Sequence, residues 1–212
     1  IWQLKTSNTH AWLTSITFQA DGQQGWAAGD GGTILKTLDG GKSWQRQTSG
    51  TQTWLNSITF QADGQQGWAA GDGGTILNSI DGGKSWQAQL SGTQANLLNI
   101  MFNADDGQRG WATGNGGTIL RTMDGGKSWQ QQTSNTQAWL NSITFQTDGR
   151  RGWVAGEGGT IMRTMDSGES WQEQTSNTRA PLTSITSHTD GQRGWVAGWG
   201  GTILKTIDGF FA

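Results

Sequence analysis

Residues 25–44 read Gly25-Trp-Ala-Ala-Gly-Asp-Gly-Gly-Thr-Ile-Leu-Lys-Thr-Leu-Asp-Gly-Gly-Lys-Ser-Trp44, and four later segments copy this stretch. Its opening Gly-Trp pair, at Trp26, recurs at Trp68, Trp111, Trp153 and Trp195, so successive copies are offset by 42, 43, 42 and 42 residues. A fixed period near forty marks a repeat architecture, in which each unit is one supersecondary element that cannot bury its own apolar faces. The period runs without a linker, so residues 1–212 read as a single domain of five repeats.

Within a unit, four short strand-like segments are separated by strong turn signals. Leu13 to Gln19 alternates, with Ile16 and Phe18 on one face and Ser15 and Thr17 on the other, until Asp21-Gly22 breaks it. Gly25 to Gly29 is short, and Asp30-Gly31-Gly32 supplies the positive φ angles of a tight turn. Thr33 to Leu38 is β-branched and aliphatic, Asp39-Gly40-Gly41 turns the chain again, and Ser43 to Thr48 is a more polar fourth segment. The small Ala, Ser, Thr and Gly side chains on the second face suit a sheet packed on both sides by neighbouring sheets. Four antiparallel strands per unit of about forty residues is the blade of an all-β propeller, here with five blades.

The ends of the repeat pattern predict how such a ring closes. Ile1-Trp-Gln-Leu-Lys-Thr-Ser7 aligns with Ser43-Trp-Gln-Arg-Gln-Thr-Ser49, a fourth strand, whereas the fifth unit carries only its first three up to Thr206-Ile-Asp-Gly209. Residues 1–7 are therefore expected to pair with residues 202–207, leaving no exposed inner edge. The tail Phe210-Phe211-Ala212 departs from the Gly-Lys-Ser found at this point in the first three units.

Composition narrows the function classes. Glycine, at 35 residues, exceeds twice average usage, as turn punctuation does. Charged residues are 14% of the chain and the net charge is -2, so no global field draws it to nucleic acid or an anionic membrane. No apolar run approaches a membrane span, and no signal-peptide pattern is present. The chain has no cysteine, which removes disulfides and thiol-ligated zinc, and nothing in it implies a cofactor or metal.

Thr37-x-Asp39-x-Gly41-x-Ser43-Trp44 matches the Asp-box, or BNR, motif, which recurs at Ser79 to Trp86, Thr122 to Trp129 and Thr164 to Trp171. An Asp side chain accepts hydrogen bonds from N–H groups of its own turn, Gly supplies the left-handed position, and Trp covers the turn. Asp39, Asp81, Asp124 and Asp166 accordingly read as turn-holding residues rather than catalysts or metal ligands.

Arg151-Gly-Trp-Val-Ala-Gly-Glu-Gly-Gly-Thr-Ile161, combined with Asp124-Gly-Gly-Lys-Ser-Trp129, resembles the repeat of the photosystem II stability/assembly factor-like family of propellers. The resemblance covers essentially the whole chain. It implies a non-enzymatic protein that binds a protein subunit, although the photosynthetic members resemble seven-bladed rings with divergent blades. The Asp-box resemblance also implies an extracytoplasmic location and brings sialidases into view. Those enzymes resemble one another in using a Tyr nucleophile, and this chain contains no Tyr. Other glycosidases need two carboxylates in distinct environments flanking one bond, whereas the carboxylates here recur by symmetry in turns. His10 and His188, the only histidines, have no nucleophile motif beside them. The chain reads as a non-enzyme.

Binding has two candidate surfaces. Turns between strands two and three carry Asp30, Asp72, Asn115, Glu157 and Trp199, and crossings between units carry Trp12, Trp54, Asn96, Trp139 and Pro181. In a propeller these share one face, where indole plates beside acceptors suit a peptide or a sugar, or else pack between blades. On the opposite face the turn after strand one is Gln23-Gln24 and Gln65-Gln66 in the first two units but brings Arg109, Arg150, Arg151 and Arg193 in the last three. These arginines form a solvated face or dock an acidic partner. Residues 43–77 and 128–162 differ at only 9 of 35 positions, a uniformity that also suits multivalent capture of a repeating glycan. The leading expectation is a monomeric, non-catalytic scaffold for a protein partner, and the alternative is a lectin-like module with equivalent sites on each blade.

Overall fold

The computed structural model describes residues 1–188 and 193–206. The expected tail, and the last residue of the expected closing strand, lie outside these. The chain divides into two compact units, Ile1–Asn96 and Leu97–Ala212.

The first unit holds two four-stranded antiparallel sheets in simple up-and-down order: β1 (Leu13–Phe18), β2 (Gly25–Gly29), β3 (Ile34–Thr37) and β4 (Gln45–Gln47), then β5 (Leu55–Phe60), β6 (Gly67–Gly71), β7 (Ile76–Ser79) and β8 (Gln87–Gln89). The second unit continues with β9 (Leu97–Phe102), β10 (Gly110–Gly114), β11 (Ile119–Thr122) and β12 (Gln130–Gln132). Its second sheet is β13 (Leu140–Phe145), β14 (Gly152–Gly156), β15 (Ile161–Thr164) and β16 (Gln172–Gln174), and its third is β17 (Leu182–Ser187), β18 (Gly194–Gly198) and β19 (Ile203–Lys205). The fifth sheet thus has three strands, and residues 1–12 lie outside every strand, with Ile1, Trp2 and Leu4 exposed. The pairing of residues 1–7 with the fifth unit is not among the described strand pairs.

Every residue of β2, β6, β10 and β14 is buried. The fourth strands are polar, and their first two residues are exposed. Within the first unit, Trp26, Ala28 and Ile34 of one sheet pack against Leu55 and Ile58 of the next. The second unit repeats this with Trp111 and Ile119 on Leu140 and Ile143, and with Trp153 and Ala155 on Leu182 and Ile185.

The first strand of each sheet leaves an edge of unpaired backbone groups, and side chains of the neighbouring sheet's first strand satisfy part of it. Ile58 N–H donates to Ser15 Oγ at 3.1 Å, Ile143 N–H to Asn99 Oδ1 at 3.2 Å and Ile185 N–H to Ser142 Oγ at 3.2 Å. In return, Thr14 Oγ1 donates to the Leu55 carbonyl at 2.5 Å and Asn141 Nδ2 to the Leu182 carbonyl at 2.9 Å. This explains polar residues inside strands whose other positions are apolar.

Between the second and third strands, the chain makes a single 3-10 turn, such as Asp72–Gly74, whose two glycines have φ of 62° and 74°. The two differ in surroundings. A Cβ on Gly73 meets nothing within 4 Å, whereas one on Gly74 would strike the Thr93 carbonyl oxygen of the following loop. Gly73→Ala is expected to cost about 1–2 kcal/mol, the left-handed penalty alone, and Gly74→Ala clearly more, because backbone must move. Urea denaturation of the two variants checks this; equal losses would mean that the close approach to Thr93 is not needed.

Candidate functional site

Hydrogen bonds define two ends of each sheet. At one end, the 3-10 turn is tied to the loop entering the first strand: Asp30 N–H donates to the Trp12 carbonyl at 3.0 Å, Asp72 N–H to that of Trp54 at 2.9 Å, Glu157 N–H to that of Trp139 at 2.8 Å and Trp199 N–H to that of Pro181 at 2.8 Å. At the other end, the Asp-box turn is tied to the turn after the first strand: Gly40 N–H to Gln23, Gly82 N–H to Gln65, Gly125 N–H to Gln108 and Ser167 N–H to Arg150, all to carbonyl oxygens.

The turn end carries exposed indoles. Trp12, Trp54, Trp139 and Trp199 are 71%, 40%, 52% and 66% exposed. In the first unit, Trp12 and Trp54 meet edge to face with centroids 5.7 Å apart. Asp30 Oδ1 accepts the Trp12 N–H at 3.0 Å, and Asp72 Oδ1 accepts Asn56 Nδ2 at 2.9 Å. Asn96 Oδ1 accepts the Gly73 N–H at 3.0 Å. In the second unit, Glu157 Oε1 accepts Asn141 Nδ2 at 3.4 Å, and the Asn115 Oδ1 is buried without a partner.

The Asp-box end is built from carboxylates engaged in their own turns. Asp39 Oδ1 accepts from Thr37 Oγ1 at 2.8 Å and from the Ser43 N–H at 2.9 Å, while Oδ2 accepts from Ser43 Oγ at 2.6 Å. Thr37 Oγ1 also accepts the Gly41 N–H at 2.9 Å, which closes the loop. Asp81, Asp124 and Asp166 repeat the pattern. The hydroxyl and amide of Ser43 hold the Asp39 carboxyl down to about 2, and those of Ser85 do the same for Asp81. For Asp124 and Asp166, burial pulls upward, but the bonds from Ser128 and Ser170 leave both carboxyls below their ordinary value.

Two of the four predicted arginines are occupied by the turns themselves. Arg109 Nε donates to Asp106 Oδ2 at 2.6 Å and its Nη1 to the Asp148 carbonyl at 2.7 Å, so it straps one sheet's turn to the next. Arg151 Nε donates to Asp148 Oδ2 at 3.0 Å. Arg193 lies 3.2 Å from Nδ1 of His188. Arg150 points into solvent, and its guanidinium makes no described contact.

Three further cations join this end that sequence reading did not single out. Lys36, Arg121 and Arg163 stand opposite Trp26, Trp111 and Trp153 across the second and third strands. Lys36 Nζ lies 5.7 Å from the Trp26 ring centroid, and burial followed by Lys84 lowers its pKa. Arg121 Nη1 pairs with Glu169 at 3.1 Å. The available signal was the alternate position in the third strand, which also holds Lys205.

A pocket of about 170 Å³ lined by Ser134, Asn135, Thr136, Thr160, Met162, Trp171 and Glu173 falls below the ~300–1,000 Å³ of small-molecule sites. Among the described residues no group of three His, Cys, Asp or Glu could hold a metal, and no helix is long and apolar enough to cross a membrane.

The sequence profile of photosynthesis system II assembly factor YCF48 matches residues 1–92, 85–185 and 126–210. The chain belongs to the YCF48 family. A search of curated proteins returned no match. Among solved structures, YCF48 bound to D1 peptide is 24% identical over 95% of this chain and 79% of its own, with a TM-score of 0.55. The GH74 enzyme of Niastella koreensis is 13% identical over 93% of this chain and 37% of its own, with a TM-score of 0.75. The Cps50 (Swd1) β-propeller domain of Myceliophteria thermophila is 12% identical over 94% and 66%, with a TM-score of 0.74. These likenesses identify the propeller fold; the family match identifies the YCF48 lineage.

The depressed Asp39 and Asp81 carboxyls give this YCF48-family chain an acid-sensitive element. A carboxylate with a folded pKa near 2 stabilises the fold above the unfolded value of about 3.9 and ceases to do so as pH falls through the folded one. Urea midpoints are expected to hold steady down to about pH 5 and then fall toward pH 2. Asp39→Asn and Asp81→Asn should lower the midpoint at neutral pH and flatten the acid limb. An acid limb unchanged in both variants would place the titrating groups elsewhere.

Proposed function

We propose that this protein is a non-catalytic propeller scaffold that binds a protein partner, in the manner of assembly factors. The observation that carries this reading is membership of the YCF48 family together with a solved YCF48 bound to D1 peptide. The docking surface in this reading is the Asp-box end of the second unit. Its structural arginines, Arg109 and Arg151, are already paired with Asp106 and Asp148, so Arg150 supplies the uncommitted charge for an acidic partner, with Arg193 on the corresponding turn of the next sheet. The Asp-box carboxylates hold turns and take no part in chemistry. In the same reading, residues 1–7 add a fourth strand beside Ile203–Lys205 and close the five sheets into one ring. Exposed Ile1, Trp2 and Leu4 are consistent with a segment that still has surface to bury.

Calorimetric titration with a D1 peptide tests the reading directly. One-to-one binding is expected, weakened about tenfold by Arg150→Glu, as loss of a charge-assisted contact requires. Failure to bind the peptide, combined with binding to a related set of sugars on a glycan array, would replace this reading with the lectin-like one.

A further inference from the structure

The first unit has a corner that the arginine end does not explain. Asp30, Trp12, Trp54 and Asp72 form a continuous run of contacts: Asp30 donates its N–H to the Trp12 carbonyl and accepts the Trp12 backbone N–H on Oδ1, Trp12 meets Trp54 edge to face, and the Trp54 carbonyl accepts the Asp72 N–H. Each carboxylate uses only Oδ1 in a described bond, leaving Oδ2 of Asp30 and of Asp72 to solvent. The described ion pairs all lie in the second unit, so neither acid is neutralised. Two large indoles left 71% and 40% exposed between two unpaired carboxylates are unusual on a surface with no partner.

The second unit does not reproduce this combination. Asn96 stands in place of the Trp before β9 and Asn115 in place of the turn acid; the β13–β16 sheet keeps Trp139 and Glu157, but the last sheet has Pro181 and Trp199, so no second pair of Trp and acid adjoins them. The corner is therefore particular to the first two sheets, despite the uniformity of the repeats.

We infer that this corner binds an arginine side chain of a protein partner, the guanidinium lying on an indole face and pairing with a carboxylate Oδ2. The chemistry is specific: a planar cation gains from an aromatic face and from a carboxylate at once, which an ammonium does less well and a neutral or acidic side chain does not do. The inference rests on the protein-binding reading above and adds the sign of the charge that this surface selects.

The test uses the full chain labelled with nitrogen-15, whose indole N–H signals are followed while a blocked Gly-Gly-Arg-Gly-Gly peptide is added. Signals assigned through Trp12→Ala and Trp54→Ala are expected to shift at millimolar peptide. The isosteric citrulline peptide should leave them unmoved, and Asp30→Asn with Asp72→Asn should weaken binding at least about fivefold. The Asn replacements keep the oxygen that accepts from Trp12 and Asn56, so the fold is retained. Equal shifts from the citrulline peptide, no shifts at these two indoles, or indifference to the Asn replacements would each overturn the inference. If the D1 peptide binds through Arg150 while the arginine peptide does not bind here, the protein-binding reading stands and this corner is excluded.

Discussion

The architecture depends on one interlock between a phenylalanine, a bare glycine and a tryptophan from the neighbouring sheet. Phe60 stands opposite Gly67 across the first two strands, and its ring covers the glycine so closely that a Cβ there would collide with it. The other face of the ring is left flat, and Trp26 stacks on it at 3.6 Å and 8°. The Trp26 Nε1 then donates to the Gly82 carbonyl of the Asp-box turn at 3.0 Å, while Trp86 closes the ring edge at 5.7 Å. In the second unit, Trp111 repeats this on Phe145 at 3.6 Å, with Nε1 on the Ser167 carbonyl at 2.9 Å and Trp171 at the edge. A single stacked pair contributes about 0.5–1.5 kcal/mol beyond its buried area. Here it also joins the Gly-Trp pair, the first-strand Phe and the Asp box, three elements far apart in each repeat. A repeat cannot complete this interlock alone, which is the physical content of its need for neighbours.

The interlock explains why the strands were legible in the sequence. The Gly-Trp pair is constrained at once by register, stacking and turn geometry and returns in all five units, while Phe18 returns as Phe60, Phe102 and Phe145 but gives way to Ser187 in the fifth, so the period announces the fold. Turn boundaries were legible for a similar reason, since Gly31 and Gly32 sit at φ of 57° and 66°. The strand ends were less so. The fourth strand spans Gln45–Gln47 rather than residues 43–48, because Ser43 is committed to Asp39 and Thr48 makes an isolated parallel bridge to Ser85. The polar positions at Ser15, Asn99 and Ser142 were legible only in part: alternation puts Ser15 on a face of small side chains suited to packing, but that these residues accept from backbone N–H groups at the edge of the next sheet is encoded by no periodicity within one strand.

Site residues divide along the same line. The arginine substitutions stood out as departures from the repeat, yet the sequence does not distinguish Arg150 from Arg151, adjacent and identical in type. Their difference comes from a turn in which Asp148 accepts from the N–H groups at both positions but from the side chain of Arg151 alone. Lys36, Arg121 and Arg163 were passed over for the opposite reason. They recur so regularly that they read as scaffold, whereas cross-strand pairing places each beside a buried Trp, two of which, Trp26 and Trp111, are fixed by the interlock.

Because the interlock occupies the strand interiors, the two ends of a sheet are free to diverge in chemistry without disturbing the packing. At positions 30, 72, 115, 157 and 199 the turn holds Asp, Asp, Asn, Glu and Trp on one backbone geometry, with the following glycine at φ between 57° and 65° throughout. The backbone N–H of that residue makes the same bond to the incoming loop in the four sheets with Trp or Pro there, whatever side chain it carries. Side-chain identity at the turn is thereby decoupled from the fold, and the same holds for Gln65 and Arg150, whose carbonyls accept equivalent bonds from the Asp-box turns. A scaffold with this property acquires a binding surface by point substitution at its ends. A negative aromatic corner in one unit and a positive edge in the other therefore coexist with nearly identical strands.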